Sequence, residues 1–443
     1  MDNSPADGPV SARTLDRRIL ALALPTFATL VSEPLLLLAD SAVVGHLGTA
    51  PLAALGLSSN VLTVLVGLSI FLAYSTTGTV ARRLGAGDRL AALNGGLDGL
   101  VLAVLVGVVL AVGLELALPW VVGFYGVEPE VAALATTYLR VAALGLPSVL
   151  LLLAGTGVLR GLQDARTPLV VVVATNLANI ALNVTLVYGV GLGIAGSALG
   201  TLVAQTGAAV AVVVVVVRRS RGAGAVLAFR PAGIRAVART GGWLVVRTAL
   251  LQAAVTTNTL VAAGLGAVTL AAHQVVGGLW TLLAFALDAV AIAGQALIGS
   301  ALGGGDVALG RALTRRMLGW GVVSGVASGG VLVLARPAYG GLFSPDPEVQ
   351  RLVGAVVLVI ALLAPLAGVV YVLDGILIGA GDARYLALAG LVSLALYLPV
   401  ALVVRHLGVG LTWVWASYGV FMAARALTLG LRARGTAWTR TGA

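Results

Sequence analysis

The sequence predicts an all-α integral membrane protein: twelve transmembrane helices in two six-helix lobes, related by a pseudo-two-fold axis along the membrane normal. Three observations carry this. Of 443 residues, 59% are hydrophobic and only 10% charged, too few charges to coat a soluble globule of that length. Apolar runs of about 20 residues, enough to cross about 30 Å of hydrocarbon as helix, recur twelve times. Finally, the chain matches itself at one constant offset.

The first run, 19–44, follows a polar segment ending in Arg17-Arg18 that lacks the apolar core and cleavage site of a signal peptide, so no processing is expected. The second and third, 52–80 and 91–118, are separated by the turn "RLGAGD". The fourth, 131–158, opens after "VEPE". "QDART" introduces the fifth, 167–188, and the glycine turn "GVGLG" the sixth, 194–217. A basic stretch, 218–240, precedes 241–263 and 269–299. The last four runs are 313–335, 349–379, 384–404 and 409–431, with "SPDPE" ahead of the tenth.

The self-match falls at 218 residues. Leu47-Gly48 aligns with Leu265-Gly266, Gly87-Asp88 with Gly305-Asp306, Pro147 with Pro365, and Asp164-Ala165-Arg166 with Asp382-Ala383-Arg384. The predicted organisation is an N-terminal lobe (1–217), a basic cytoplasmic linker (218–240) and a C-terminal lobe (241–443). Six helices per copy insert both copies the same way round.

The net charge of +10 sits mainly in alternate connections, at arginines 13, 17, 18, then 82, 83, 89, then 160, 166, then 218 to 239, 311, 315, 316, 384 and 432 to 440. That is the positive-inside pattern. It predicts a cytoplasmic (inner) membrane location with both termini cytoplasmic, the lipid bilayer as partner, and no nucleic acid. Cysteine is absent, which excludes disulfides and thiolate chemistry. Histidines 46, 273 and 406 are too scattered for a metal site, and no catalytic constellation stands out. "GVGLGIAG" (189–196) lacks the βαβ context of a dinucleotide fingerprint, and no Walker lysine exists because the chain has no lysine. Neither an enzyme nor a cofactor is expected.

Ionisable residues inside a span are functional candidates by default. Glu33 and Asp40 lie in the first helix seven residues apart, within about 20° of one another on its circumference, and so face one side. Pro25 and Pro34 in the same helix each remove a backbone hydrogen bond and mark a candidate hinge. Asn176, Asn179 and Asn183 share a face of the fifth helix and offer amide oxygens, or the glue that joins membrane helices. In the second half Asp288 lies deep in the eighth span and Asp374 near the inner end of the tenth. Asp40 aligns with Asn258, so the titratable group of the first helix exists in one copy only. Asp98 and Arg247 lie about two turns from predicted helix ends, where snorkelling suffices.

"LADSAVVGHLGTAPLAALGLS" (38–58), "RLGAGD" (83–88), "GVLRGLQDARTPL" (157–169), "LAAHQV" (270–275) and "IGAGDAR" (378–384), in that order, resemble the multidrug and toxic compound extrusion (MATE) transporters. "VRTALLQ" (246–252), "FALDAVAIAGQALIG" (285–299) and "VLDGILIGA" (372–380) resemble the DinF-like branch. The resemblance implies a monomeric antiporter: two bundles in a V, exporting organic compounds in exchange for H⁺ or Na⁺. Asp40 matches the family's coupling aspartate and Pro25 the proline where that helix bends. Asn179 and Thr201 match polar members of a cation site, and Asn183 stands where some relatives carry aspartate. Those four residues, with Na⁺, are the alternative to a proton at Asp40. Glu33 is this sequence's own addition. The acid-lined interior predicts cationic or amphipathic substrates; a lining rich in arginine would point to anionic cargo. The rivals are a flippase of lipid-linked precursors, a membrane-embedded enzyme and a channel.

Overall fold

The computed structural model describes residues 11–225, 228–337 and 343–442. The start of the polar amino-terminal segment, and residues 226 and 227 of the basic stretch, lie outside them.

Twelve helices long and apolar enough to span a membrane occur among the described residues. They are α1 (Ala12–Gly45), α2 (Thr49–Gly85), α3 (Arg89–Phe124), α4 (Pro129–Gly161), α5 (Arg166–Gly189), α6 (Gly193–Gly222), α7 (Pro231–Ala263), α8 (Ala267–Gly303), α9 (Val307–Leu334), α10 (Pro347–Gly379), α11 (Ala383–Leu407) and α12 (Leu411–Arg434). No strand occurs among the described residues, so the backbone polar groups of the spans bond mainly within their own helices, as hydrocarbon demands.

The repeated turn chemistry explains the repeated motif. Gly87 (φ +81°) and Gly305 (φ +79°) take the left-handed conformation that ends one helix. Asp88 and Asp306 then cap the next, each carboxylate accepting from the backbone N–H three residues on, at 2.7 and 2.8 Å.

Helices α1–α6 form one lobe and α7–α12 the other, but α1 belongs to both. Its first half contributes Leu15, Ile19, Leu22 and Ala23 to a core otherwise built largely from the second lobe. Asp16, near its start, pairs with Arg316 and accepts from Trp320 Nε1 on α9. The second half of α1 packs on α5 and carries the acidic residues.

The lobes meet most closely at the face bearing the arginine-rich turns. A Cβ on Gly85 would lie 1.9 Å from the backbone oxygen of Ser300, and one on Gly303 would lie 1.9 Å from that of Arg82. These two glycines are themselves related by the 218-residue offset, so backbone touches backbone across the pseudo-axis. Arg82 adds polar ties: its guanidinium donates to the carbonyls of Ala380 (2.8 Å), Arg440 (2.9 Å) and Gly442 (2.8 Å). Deeper, Gln295 Nε2 donates to the Tyr74 carbonyl.

Two details depart from the sequence-based expectation. Helix α7 starts at Pro231, ten residues before the predicted apolar run, because "PAGIRAVART" is amphipathic and invisible to a hydropathy window. That places Arg247 at mid-helix, not near an end. Asp98 is likewise no snorkelling side chain: it is 3% exposed and accepts from Arg230 Nε at 2.9 Å.

Candidate functional site

Helix α1 runs unbroken from Ala12 to Gly45 through both prolines. Nearby hydroxyls turn back on its carbonyls, Thr29 onto Pro25 (2.9 Å) and Ser32 onto Ala28 (2.7 Å), a pattern that favours bending. One residue that the same helix presents is deeply buried. Asp40 is 5% exposed, among α5 side chains that are buried more completely still: Asn179 at 1% and Asn183 at 0%.

A chain of polar contacts radiates from Asp40. Asn183 Nδ2 donates to Asp40 Oδ1 at 2.6 Å and approaches Asn179 Oδ1 at 3.1 Å, while Asn179 Nδ2 donates to Thr201 Oγ1 on α6 at 2.9 Å. Because a carboxylate offers no proton, the Asp40 contact fixes which end of the Asn183 amide faces it. Asn183 Oδ1 is thereby left buried without a hydrogen-bond partner. Gly200 makes the space: a Cβ there would lie 2.1 Å from that oxygen. The last turn of α5, Thr185–Gly189, widens to a π-helix just beyond, a geometry frequent at functional sites. Tyr188 in that turn donates to the Val43 carbonyl of α1.

Four of the residues expected together from the sequence, Asp40, Asn179, Asn183 and Thr201, are therefore one connected group. Glu33 is not bonded into it. It opens with Asp40 onto a cavity of about 150 Å³, and also onto a central cavity of about 220 Å³. Asn176 lines the central cavity and donates to the Ser32 carbonyl at 3.0 Å, tying α5 to α1 between the two prolines. Asp288 reaches the same cavity from α8, so it is a junction between the lobes.

A further cavity of about 400 Å³ lies mostly in the second lobe, with Gly67, Ile70 and Tyr74 of α2 on one side, and is lined by Asn258, Asp288 and Asp374 among others. Asn258 is 3% exposed and accepts a long bond from Tyr397 (3.4 Å). Asp374 does not reach an interface: it is 4% exposed, with one oxygen paired to Arg247 and the other to Arg425 at 2.7 Å. The interior is thus not lined by acids alone.

Three functional candidates were missed in the sequence. Arg160, grouped there with the loop arginines, is 8% exposed inside α4 and lines the central cavity. Arg425 lies inside the twelfth apolar run, where the rule that singled out the aspartates applies equally. Tyr138, on α4, lies within Coulombic reach of Asp40, and no sequence signal separates it from other membrane tyrosines.

The MatE family model matches residues 25–185 and again 244–403. The chain is 31% identical to DNA damage-inducible protein F of Escherichia coli strain K12, over 94% of this chain and 91% of that protein. It is 29% identical to Protein DETOXIFICATION 45, chloroplastic, of Arabidopsis thaliana, covering 94% and 78%. Its fold is similar to that of the Vibrio cholerae MATE transporter VcmN in the bent form, with a TM-score of 0.88 at 20% identity over 96% and 98% of the two chains.

Proposed function

We propose, from the premise that this chain belongs to the MATE family of multidrug efflux transporters, that it is an antiporter whose uptake of H⁺ or Na⁺ at Asp40 drives export of small organic compounds. One observation carries the reading. Asp40 is buried, and the only side chain bonded to it among the described residues is a neutral amide. A carboxylate taken out of water without a counter-charge is met by a proton or by a bound cation. The unpartnered Asn183 Oδ1 beside it, with Thr201 Oγ1 one bond further on, supplies the oxygen ligands that a hard cation needs.

The mechanism follows from α1 being shared. Its first half is packed against the second lobe, its second half holds Asp40 against α5, and Pro25 and Pro34 lie between. Neutralising Asp40 removes the charge that the Asn183 amide holds, and a helix with two interrupted turns transmits the change to the lobe contact. Coupling requires only that the ion favour one arrangement or compete with cargo. Glu33 and Asp288, both open to the central cavity, attract cationic or amphipathic cargo there.

The arginine distribution supports a cytoplasmic closed face, with both termini on that side of a plasma membrane. The arrangement described is then outward-facing. Both lobes reside in one chain, so a monomer suffices.

The test is transport of a fluorescent organic cation in proteoliposomes under a proton gradient alone and a sodium gradient alone. Gradient-driven movement that Asp40→Asn abolishes, with Glu33→Gln retaining part of it, is the expected result and names the ion. Full activity in Asp40→Asn would overturn the proposal.

A further inference from the structure

A fourth cavity, of about 360 Å³, lies at the face bearing the arginine-rich turns, between the start of α11, the end of α12 and the segment that follows it. Three guanidiniums belong to its lining, those of Arg384, Arg432 and Arg440, against one carboxylate, Asp382. That carboxylate is already engaged, because it accepts from Arg432 Nε at 2.6 Å. Arg384 has the ring of Trp243 beside it, 5.8 Å away at the centroid, and no ion pair among the described residues. The Arg440 side chain has neither hydrogen bond nor ion pair among them. Two positive charges therefore face this cavity with no acid in its lining left to answer them.

The matched turn of the first lobe shows how the surplus arises. There Asp164 is followed three residues on by Thr167, which bonds it, and Arg219 closes the group. At the position of Thr167 the second lobe carries Tyr385, whose hydroxyl turns away to the Thr428 carbonyl (2.8 Å) and whose ring lies 4.6 Å from the Arg432 guanidinium. The turn that is closed in one copy is an open, cation-lined hollow in the other.

The hollow is held in shape. Trp438 is 1% exposed and donates from Nε1 to the Ala433 carbonyl at 2.9 Å, which fixes the chain just before Arg440. Beyond it, the Arg440 and Gly442 carbonyls accept from Arg82 of the first lobe, and Gly442 N–H donates to the Leu302 carbonyl at 3.2 Å. Arg440 thus sits on a segment anchored on both sides.

Its position names the source of the anion. Helix α11 enters the membrane from this face, and Leu388 lies one turn, about 6 Å, beyond Arg384 on the same side of it, followed by Leu391 and Val392. All three are exposed, so in a bilayer they meet acyl chains. Guanidinium forks pair with phosphate oxygens, and basic pockets at a membrane surface recognise anionic headgroups. A ligand with phosphate at the arginines and hydrocarbon below matches both parts of the site; a soluble phosphate matches the first part alone.

We infer that this cavity binds the headgroup of an anionic phospholipid, its phosphate held by Arg384 and Arg440 and its chains lying along the exposed row of α11. The binding does not depend on coupling at Asp40. Its occupant rests against the very segment that Arg82 ties to the opposite lobe.

The experiment measures binding of phosphatidylglycerol and phosphatidylcholine with identical chains to the full protein in detergent, by native mass spectrometry, with glycerol 3-phosphate as a soluble competitor. Phosphatidylglycerol should bind at least about fivefold more tightly than phosphatidylcholine, the scale of one basic residue at a headgroup. Arg384→Gln and Arg440→Gln should each weaken phosphatidylglycerol by about fivefold and leave phosphatidylcholine within about twofold. Arg221→Gln, which alters another exposed arginine of the same face outside the cavity, should leave both lipids within about twofold. Glycerol 3-phosphate in large excess should not displace the lipid. Asp40→Asn should bind phosphatidylglycerol as the unaltered chain does while losing gradient-driven transport, so failure here and failure of the coupling proposal are distinguishable. Equal losses in all the arginine variants would mean diffuse surface charge, and displacement by glycerol 3-phosphate would mean a site for soluble phosphate; either result would overturn the proposal.

Discussion

The two lobes descend from one repeated unit, and each buries an aspartate in opposite company. Asp40 in the first lobe has an amide beside it; Asp374 in the second has two guanidiniums. The first arrangement leaves a charge for something outside the protein to answer. The second answers it internally. A duplicated scaffold thus buries a carboxylate beside a neutral amide in one half and a carboxylate clamped between two guanidiniums in the other.

The largest expected effect separates these two roles. Asp374→Asn strands two buried guanidiniums, and breaking a buried pair costs about 3–5 kcal/mol; thermal unfolding in detergent should move down by many degrees. Asp40→Asn removes no internal ion pair, so the same measurement should shift by only a degree or two while coupled transport is lost. Equal destabilisation by both would break the comparison.

Next in size is the contact where the halves are alike. Valine at Gly85 or at Gly303 drives a side chain into opposing backbone, an overpacking of about 1–3 kcal/mol. Spin labels on the exposed Arg89 and Ala308 should report a longer distance in either variant, by similar amounts if the pseudo-axis governs closure. A response to one alone would sharpen the comparison into an asymmetric hinge.

The smallest effect lies at two matched loop aspartates. Asp164 accepts from Thr167 N (3.0 Å), Thr167 Oγ1 (2.6 Å) and Arg219 Nη2 (2.6 Å), whereas Asp382, at the N-cap of α11, is bonded by Arg432 Nε (2.6 Å) and its side chain makes no capping hydrogen bond. Partial burial pushes the Asp164 carboxyl up, but the Thr167 and Arg219 bonds outweigh it and hold the group below the usual aspartate range. A depressed folded-state value means stability that is present above the unfolded aspartate pKa and lost as pH falls through the folded one. Asp164→Ala should cost about 1 kcal/mol at neutral pH, the worth of a cap. It should also flatten the acid limb of a stability–pH curve.

Much of this was legible in the residues. Hydropathy, arginine placement and one constant offset give twelve helices in two lobes, since hydrocarbon leaves so few options for backbone. Spacing put Asn179 and Asn183 on one face of α5, and the family resemblance grouped them with Asp40 and Thr201. Ion pairing was not legible. Asp374, Arg247 and Arg425 come from helices α10, α7 and α12, and nothing along the chain announces that they converge. The amphipathic start of α7 hid how deep Arg247 lies, and Arg160 was obscured by its neighbours in a basic turn. Local periodicity reports which way a side chain faces; only tertiary packing reports what it faces.

The glycine contact at the closed face also bears on speed. Helices that interlock by side chains must rearrange rotamers to come apart, whereas Gly85 and Gly303 present bare backbone to bare backbone and have nothing to disengage. Such a joint works as a smooth bearing. What sets the pace of its parting is then the few polar tethers around it, those of Arg82 foremost, in the way that a latch and not a hinge decides how quickly a door swings.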